Sequence, residues 1–138
     1  MQKNSELVIS LALLQTQLLK RVDNQLNMHG ISFSEFMVMH HLHRAPKKTM
    51  RRIDLAESIG LSASGVTRLL NPMEKIKLVQ KELNPRDARV SLVKLSEAGE
   101  QILNDAMISF DQSADLILKP LNSKQTDKLS ELTKALSQ

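Results

Sequence analysis

The chain has 138 residues, no cysteine, a formal net charge of +4 and 41% hydrophobic residues. This length suits one compact domain, and the lack of cysteine excludes disulfides, thiolate zinc sites and thiol chemistry. The ordinary composition argues against a disordered or fibrous chain. No stretch is apolar for long enough to span a membrane and no leader pattern precedes a cleavage site, so we expect a cytoplasmic protein with no membrane partner.

The positive charge is concentrated in the middle of the chain. Between Arg44 and Lys94 there are twelve basic and five acidic residues, whereas the two ends together carry a net negative charge. A basic centre between mildly acidic ends is typical of a segment that meets a polyanion. A solvated surface with chance asymmetry is the alternative interpretation.

The first third of the chain predicts two helices. Leucines at steps of three and four indicate an amphipathic helix over Ser5–Met28, which Gly30 ends. We expect Ser34 to cap a short helix over Glu35–His43, and Ala45-Pro46 to break it.

The middle of the chain predicts a helix, a tight turn and a second helix. The first helix covers Met50–Ile59, and Gly60-Leu61 forms the turn. Ser62 heads the second helix, in which Pro72 is expected to cause a kink or a weakened last turn. One face of this second helix is apolar (Ala63, Val66, Leu70, Met73), and the opposite face is polar and basic (Ser64, Arg68, Asn71, Lys75).

The remainder predicts a hairpin and two more helices. Two segments rich in aliphatic residues, Leu78–Leu83 and Arg89–Leu95, flank a turn-forming cluster, which indicates an antiparallel hairpin with an arginine near its tip. Ser96 is expected to cap a long helix to about Leu118, and Ser123 to cap the last helix.

A helix-turn-helix followed by a basic hairpin is suited to double-stranded DNA. The second helix fits the major groove, where short side chains let the backbone approach base edges. The candidate readers are Ser62, Ser64, Gly65, Thr67 and Arg68. Arg86 at the hairpin tip suits the narrow minor groove. The candidate phosphate contacts are Arg51, Arg52, Lys75 and Lys81.

Two segments of the sequence resemble the MarR-type winged-helix transcriptional regulators. They are DLAESIGLSASGVTRLL over residues 54–70 and NPRDARVSLVKLSEAG over residues 84–99. The second is similar to the family's wing signature, an acidic residue and Arg followed by an Arg-Val-x-Leu strand and a Ser-x-x-Gly helix start. The order of the outer helices agrees as well, so the resemblance covers essentially the whole chain.

The resemblance implies one MarR-like domain over residues 1–138, mainly α with a small β-hairpin wing. Residues 34–95 would form the winged helix-turn-helix lobe, and residues 5–30 and 96–138 would form dimerisation helices. Two lobes of a homodimer would then read a pseudo-palindromic operator. By position, Arg86 would enter the minor groove, and Asp87 and Arg89 would brace the wing.

The sequence departs from the family pattern at two positions in the wing. Asn84 stands where Asp is more frequent, although an asparagine can still make the hydrogen bond of the turn. Lys77 stands where Gly commonly precedes Leu-Val, and lysine is disfavoured if the backbone there needs a positive φ. Both departures concern the angle of the wing and not DNA binding itself.

Two clusters invite a ligand interpretation. His40, His41 and His43 could suggest metal, but without cysteine or paired carboxylates at a ligand spacing the set is incomplete, so we predict no metal and no cofactor. Phe36, Met37, Met39 and His40 could line a pocket for a small, aromatic effector, with ordinary core packing as the alternative.

The sequence lacks a nucleophile elbow, a P-loop, a dinucleotide fingerprint and HExxH, so we predict that the protein is not an enzyme. The function that fits best is a sequence-specific transcriptional regulator, a dimeric repressor released by a small ligand. The alternatives are a protein-interaction adaptor on a winged-helix scaffold and a metal-responsive regulator of the same family.

Overall fold

The computed structural model describes residues 1–137, which form six α-helices and a small antiparallel sheet. The helices are α1 Lys3–Leu26, α2 Phe33–Arg44, α3 Arg52–Ile59, α4 Ala63–Lys75, α5 Glu97–Leu118 and α6 Ser123–Leu136. The strands are β1 Thr49–Arg51, β2 Val79–Leu83 and β3 Ser91–Leu95, and short 3-10 turns cover Asn27–His29 and Pro46–Lys48. The predicted fold class, mainly helical with a small β wing, is confirmed.

The capping residues of two helices lie one or two positions before the predicted caps. Ser32, not Ser34, caps α2, because its Oγ accepts a hydrogen bond from the Glu35 N–H while the Glu35 carboxylate accepts one from the Ser32 N–H. Asn122, not Ser123, caps α6 in the same reciprocal way. A capping box needs a carboxylate or amide side chain three residues after the cap, and only the observed caps have this spacing.

The sheet has one strand more than the predicted hairpin. Thr49–Arg51 forms strand β1, although the sequence predicted a helix from Met50, and Met50 lies opposite Val93 of β3. The strand order is β1-β3-β2, so β3 is central. Three residues are too few to display the alternation that identifies a strand, and the pairing partner lies far along the chain. The added strand ties the start of α3 to the base of the wing.

Helices α2, α3 and α4, the sheet and the first half of α5 enclose one core. Its fully buried side chains include Met39, Leu42, Leu55, Leu70, Met73, Val93 and Leu103. At Gly99 in α5 the backbone passes so close to the Leu78 carbonyl that a Cβ would clash with it. Each buried aliphatic side chain stabilises the fold by about 1.5–3 kcal/mol, so this core holds α4 in a defined position.

The two ends of the chain are packed very differently. Of the predicted leucine stripe of α1, only Val22 and Leu26 are buried, and α6 buries no side chain. The exposed apolar residues include Leu7, Leu11, Leu14, Leu118, Leu129 and Leu132. Among the helices of residues 1–137, none combines the length and the apolar character that crossing a bilayer would require.

The end of α4 contains Pro72 and leads to Lys77. The helix continues through Pro72 to Lys75, so its last turn forms, and the kink expected at the proline stays a prediction. Lys77 then adopts φ 64°, which is the left-handed conformation that costs most residues about 1–2 kcal/mol. The positive φ that disfavours lysine at this position is therefore present, and the chain turns into the wing in spite of it.

Candidate nucleic-acid interface

The turn between α3 and α4 sets the start of the second helix. Gly60 ends α3 with φ 72°, a conformation that glycine adopts without strain, and the Leu61 N–H donates to the Ala56 carbonyl at 2.9 Å. Ser62 then caps α4, as predicted, because its Oγ accepts from the Gly65 N–H at 3.1 Å. The first turn of α4 therefore projects into solvent with its backbone already capped.

The two faces of α4 separate apolar from polar residues. Val66, Leu70 and Met73 are buried, whereas the outer face exposes Ser62, Ser64, Thr67 and Arg68 with Gly65 partly exposed among them. Ala63, predicted on the packed face, is exposed because it is the first residue of the helix and lies outside the core. Small side chains cover the first turn, so another molecule can approach the backbone closely.

Two hydroxyl groups on this face already have partners. The Thr67 hydroxyl donates to the Ala63 carbonyl at 3.0 Å and accepts from an Arg52 guanidinium nitrogen at 3.1 Å. The Ser62 hydroxyl lies 3.2 Å from that of Ser64 and also accepts from the Gly65 N–H. Arg68 extends from the same face into solvent, so it is available for a further contact.

The candidate phosphate contacts fall into two groups. Arg52 is largely buried and bonds to the Glu74 carboxylate at 3.4 Å, and Lys81 lies 3.9 Å from the same carboxylate, so both belong to a brace between α3, α4 and β2. Arg51 and Lys75 are exposed. Within residues 1–137, no ion pair involves Arg51, Lys75, Arg68 or Arg86.

Sequence reasoning missed the acidic side of this brace. Arg52 begins α3 and Glu74 lies in the last turn of α4, so the two residues are far apart in the sequence. The packing of α3 on α4 brings their side chains together. The available signal was a single carboxylate on an otherwise basic helix end, which is too weak to identify a pairing. The consequence is that Arg52 holds the two helices in place.

The wing tip is held by its own hydrogen bonds. The Asn84 Oδ1 accepts from the Arg86 N–H at 2.9 Å, so asparagine does make the turn. Asp87 accepts from the backbone N–H of Arg89 at 3.0 Å and from its Nε at 3.1 Å. These bonds, first the one from the Arg89 side chain, lower the pKa of Asp87. Arg86 is left exposed at the tip.

A depression of about 550 Å³ lies between α4 and the part of the wing that leads into β3. Residues from both elements line it, including Arg51, Thr67, Arg89 and Ser91. Residues of α4 and of the wing therefore border one depression, and the candidate contacts that line it are Arg51, Arg52, Thr67 and Arg89.

The histidine cluster does not converge on one point. The His41 Nδ1 lies 2.9 Å from the Met37 carbonyl, the His43 Nδ1 lies 3.4 Å from the Glu100 carboxylate, and His40 stacks on Phe36 at 6.2 Å between ring centroids. Among residues 1–137, no three histidine or carboxylate side chains are arranged to hold a metal ion.

Glu100 joins α5 to the end of α2 and the loop that follows it. Its carboxylate pairs with Lys48 as well as with His43, and the hydrogen bond from Lys48 is the main reason that the pKa of Glu100 is lowered. Lys48 is held at φ 55° in a turn next to β1. This cluster lies at the end of the sheet opposite the wing tip, because Thr49 is paired with Lys94.

The predicted effector residues do not form one cavity. Phe36 and Met39 are part of the closed core, and His40 covers Phe36. Met37 lines a cavity of only about 130 Å³. A larger apolar groove of about 540 Å³ lies instead between α1 and α5, lined by residues that include Leu14, Leu18, Phe33, Phe110 and Ile117.

Residues 29–90, which contain the helix-turn-helix and most of the wing, match the model of the MarR family. This winged-helix segment is therefore similar to the MarR family of regulators. MhqR, an HTH-type transcriptional regulator of Bacillus subtilis (strain 168), is 22% identical over 133 residues, covering 96% of this chain and 90% of the relative. The resemblance predicted from the two motifs is therefore confirmed.

Solved MarR-family structures have the same fold along nearly the whole chain. Sco3205 of Streptomyces coelicolor in complex with DNA matches with a TM-score of 0.90 at 21% identity, over 99% of this chain and 91% of that one. A mutant MarR from E. coli complexed with operator DNA matches with a TM-score of 0.89 at 19% identity, over 96% and 94%. The family and these relatives are transcriptional regulators and not enzymes, as the sequence predicted.

Proposed function

We propose that this MarR-family chain is a sequence-specific regulator that binds double-stranded DNA through α4 and the wing. The observation that carries the proposal is that residues of α4 and of the wing border one depression. Arg68 on α4 and Arg86 at the wing tip are exposed and form no ion pair among residues 1–137. Similar proteins have been solved with DNA, which supports this use of the fold.

The hydrogen bonds on α4 divide its residues into readers and supports. Arg68 is the main candidate for a bidentate contact with guanine, since its guanidinium has no partner among residues 1–137. The Thr67 hydroxyl is used within the protein, so its methyl group is what it can offer to a thymine methyl. Ser62 supports the helix start, and Ser64 and Gly65 allow close approach.

The wing and the flanking cations complete the proposed contact. Arg86 would enter the minor groove, whose narrow form attracts arginine, while the bond between Asp87 and Arg89 fixes the tip. Arg51 and Lys75 are exposed and would contact phosphates. Lys81 has a weaker case, and Arg52 a structural one, because both lie at the Glu74 carboxylate.

The functional unit that we propose is a homodimer formed by residues 5–30 and 96–138. Helix α6 buries nothing within its own chain, and the apolar groove between α1 and α5 is open to solvent. Exposed apolar surface of this extent marks an association site, and a second copy offers the same leucine-rich helices to cover it. The dimer would present two α4 helices to a pseudo-palindromic operator.

Repression with release by a small ligand is the finer part of the proposal. A ligand can release DNA only if it binds the two lobe arrangements with different affinity. With its open side covered by the second copy, the groove between α1 and α5 would have the volume and the apolar lining for such a ligand, unlike the 130 Å³ cavity at Met37. Apolar aromatic compounds are therefore the first effectors to test against the bound operator.

The decisive experiment is selection of random DNA duplexes with the purified protein at near-physiological salt. We expect an enriched inverted repeat with half-sites about one helical turn apart, and an affinity that falls steeply as salt increases. Arg68→Ala should relax the sequence preference, and Arg44→Ala, which changes an exposed arginine at the end of α2, is the matched control. If a folded dimer enriches nothing and its binding does not respond to salt, DNA binding is refuted.

The alternative function, an adaptor for an acidic protein partner, is less well supported by the same surface. Hot spots of protein interfaces are enriched in aromatic residues, and the exposed face of α4 carries none. Failure of the selection together with binding to an acidic partner would favour it.

A further inference from the structure

The turn between α1 and α2 joins the proposed dimerisation helices to the DNA-binding lobe. It covers residues 27–32 and contains a short 3-10 turn and Gly30. The turn is the direct chain connection between α1 and the lobe, beside the packing of Val22 and Leu26 of α1 on the core. Side chains that fix it therefore influence where α4 lies.

Asp23 of α1 fixes one side of this turn. Its Oδ1 accepts a hydrogen bond from the Phe33 N–H at 2.7 Å, and Phe33 is the first residue of α2. In the capping box the Ser32 Oγ accepts from the Glu35 N–H, and the Glu35 carboxylate accepts from the Ser32 N–H. The Phe33 N–H takes no part in these bonds and donates to Asp23 of α1 instead. The bond has an ionised acceptor at a helix N-terminus, a combination that strengthens it.

A second bond fixes the other side. The His29 Nε2 and the Ser109 Oγ of α5 lie 2.7 Å apart and share a hydrogen bond. Helix α5 contributes Leu103 and Ala106 to the core of the lobe and continues beside α1. The turn is thus held between α1 and α5 by two side-chain bonds, one on each side.

We propose that Asp23, together with the His29–Ser109 bond, is a positioning element that sets the angle of the DNA-binding lobe relative to α1 and α5. In a dimer this angle determines the distance between the two α4 helices, and hence the operator spacing that fits. This inference rests on the proposed function, and it assigns a role in operator selection to residues that lie away from the DNA surface.

The lobe angle can be measured without DNA. Because the chain has no native cysteine, spin labels at Asn71→Cys in α4 and Asp111→Cys in α5 mark both bodies. Dilution into unlabelled protein restricts the measured distance to pairs within one chain. We expect one narrow distance in the parent, a broadened or shifted distance with Asp23→Ala or Ser109→Ala, and a near-parent distance with Asp23→Asn, whose amide oxygen can still accept the Phe33 N–H.

The operator supplies the functional readout. Asp23→Ala should bind the selected operator about five- to tenfold more weakly, the cost of a lost helix cap. It should also lose its preference for the selected spacing over a site with a single inserted base pair. Asp23→Asn should restore both properties. Asp54→Ala, which changes an exposed aspartate of α3 outside the proposed dimerisation helices and DNA contacts, should keep the spacing preference of the parent.

A lower melting temperature with an unchanged label distance and spacing preference would mean that Asp23 is only a local cap, which overturns the inference. If the parent protein binds no DNA, the proposed function fails instead. The label distances still decide the lobe angle in that case.

Discussion

The winged-helix lobe and the helical ends of this chain use the same kinds of residue in opposite ways. In the lobe, leucine, valine and methionine side chains are almost fully buried in one core. In α1 and α6, leucines at the same helical spacing remain exposed, with Leu7 at 57% and Leu132 at 49%. An apolar stripe predicts a packed face, but it does not say whether the partner lies in the same chain.

The lobe closes its apolar core within one chain, whereas the helical ends leave apolar faces exposed. The lobe places α4 and the wing without help, because its core is closed. The helical ends have amphipathic faces that no other element of residues 1–137 covers, and in the proposed homodimer association would set the distance between the two lobes.

Gly99→Ala tests how tightly the lobe is closed. The new Cβ would meet the Leu78 backbone carbonyl and the Leu95 side chain, and the carbonyl cannot move without disturbing the start of the wing. We expect the free energy of unfolding to fall by about 3 kcal/mol, as in severe overpacking. Urea unfolding followed by circular dichroism measures it.

Gly65→Ala is the matched control for that substitution. Its Cβ would lie 3.2 Å from the movable Ser62 Oγ, so the free energy of unfolding should change by no more than about 1 kcal/mol. Operator affinity should fall, because the new methyl group lies on the exposed face of α4. Equal destabilisation by the two substitutions would contradict the distinction between a structural and a surface glycine.

Leu14→Glu tests whether the open ends associate. Leu14 is 46% exposed and lines the groove between α1 and α5, where a carboxylate would be buried by a second copy. We expect a monomer in sedimentation equilibrium, with operator affinity reduced roughly a hundredfold or more because two linked half-sites become independent. Ile76→Glu, at an exposed residue of the lobe, should remain dimeric. A dimeric Leu14→Glu protein would place the interface elsewhere.

The sequence predicted the lobe better than its boundaries, for physical reasons. Helix periodicity and the caps Ser62 and Ser96 are local signals, and both caps form. Strand β1 depends on pairing with β3, a distant segment that local patterns do not reveal. The wrong prediction of Ser34 as a cap has no such reason, because the capping-box spacing from Ser32 to Glu35 is a local signal in the sequence.

Arg86→Ala tests the wing as a DNA contact. Arg86 is exposed, and its backbone N–H, which the substitution keeps, makes the bond to Asn84. The wing should therefore keep its shape while operator affinity falls roughly tenfold. Binding isotherms measure the loss, and Arg44→Ala at the end of α2 is the control. Identical isotherms for Arg86→Ala and the parent would refute the wing contact.

The candidate interface was predicted in part, and the structure explains which part. Exposed residues such as Arg68 and Arg86 were placed correctly on the surface by helix periodicity and turn chemistry. Arg52 was assigned to phosphate because sequence gives charge but not direction, and its side chain turns inward to Glu74. The Phe36 and Met39 pair looked like a pocket because core and pocket residues have the same composition.

Lys77→Gly tests the strained entry to the wing. Glycine tolerates the φ of 64° that lysine adopts at a cost, although it also gains freedom in the unfolded chain. The net effect should raise the free energy of unfolding by about 0.5 kcal/mol. Lys75→Gly, in the last turn of α4, should lower it instead, because glycine is a poor helix former. Destabilisation by Lys77→Gly would mean that the lysine side chain contributes more than its backbone strain costs.

His40→Gln tests how the stability of the lobe depends on pH, and its expected effect is the smallest. Burial, and then the neighbouring charges of His41, Arg44 and His43, lower the pKa of His40 from its ordinary 6.5. As the pH falls below this value the unfolded chain binds a proton that the folded lobe resists, so stability is full above about pH 6.5 and is lost in more acidic solution. His40→Gln should therefore lose less stability than the parent between about pH 7.5 and pH 5.5 in urea titrations. Equal losses would mean that the ring, although stacked on Phe36, is protonated as easily in the folded lobe as in the unfolded chain.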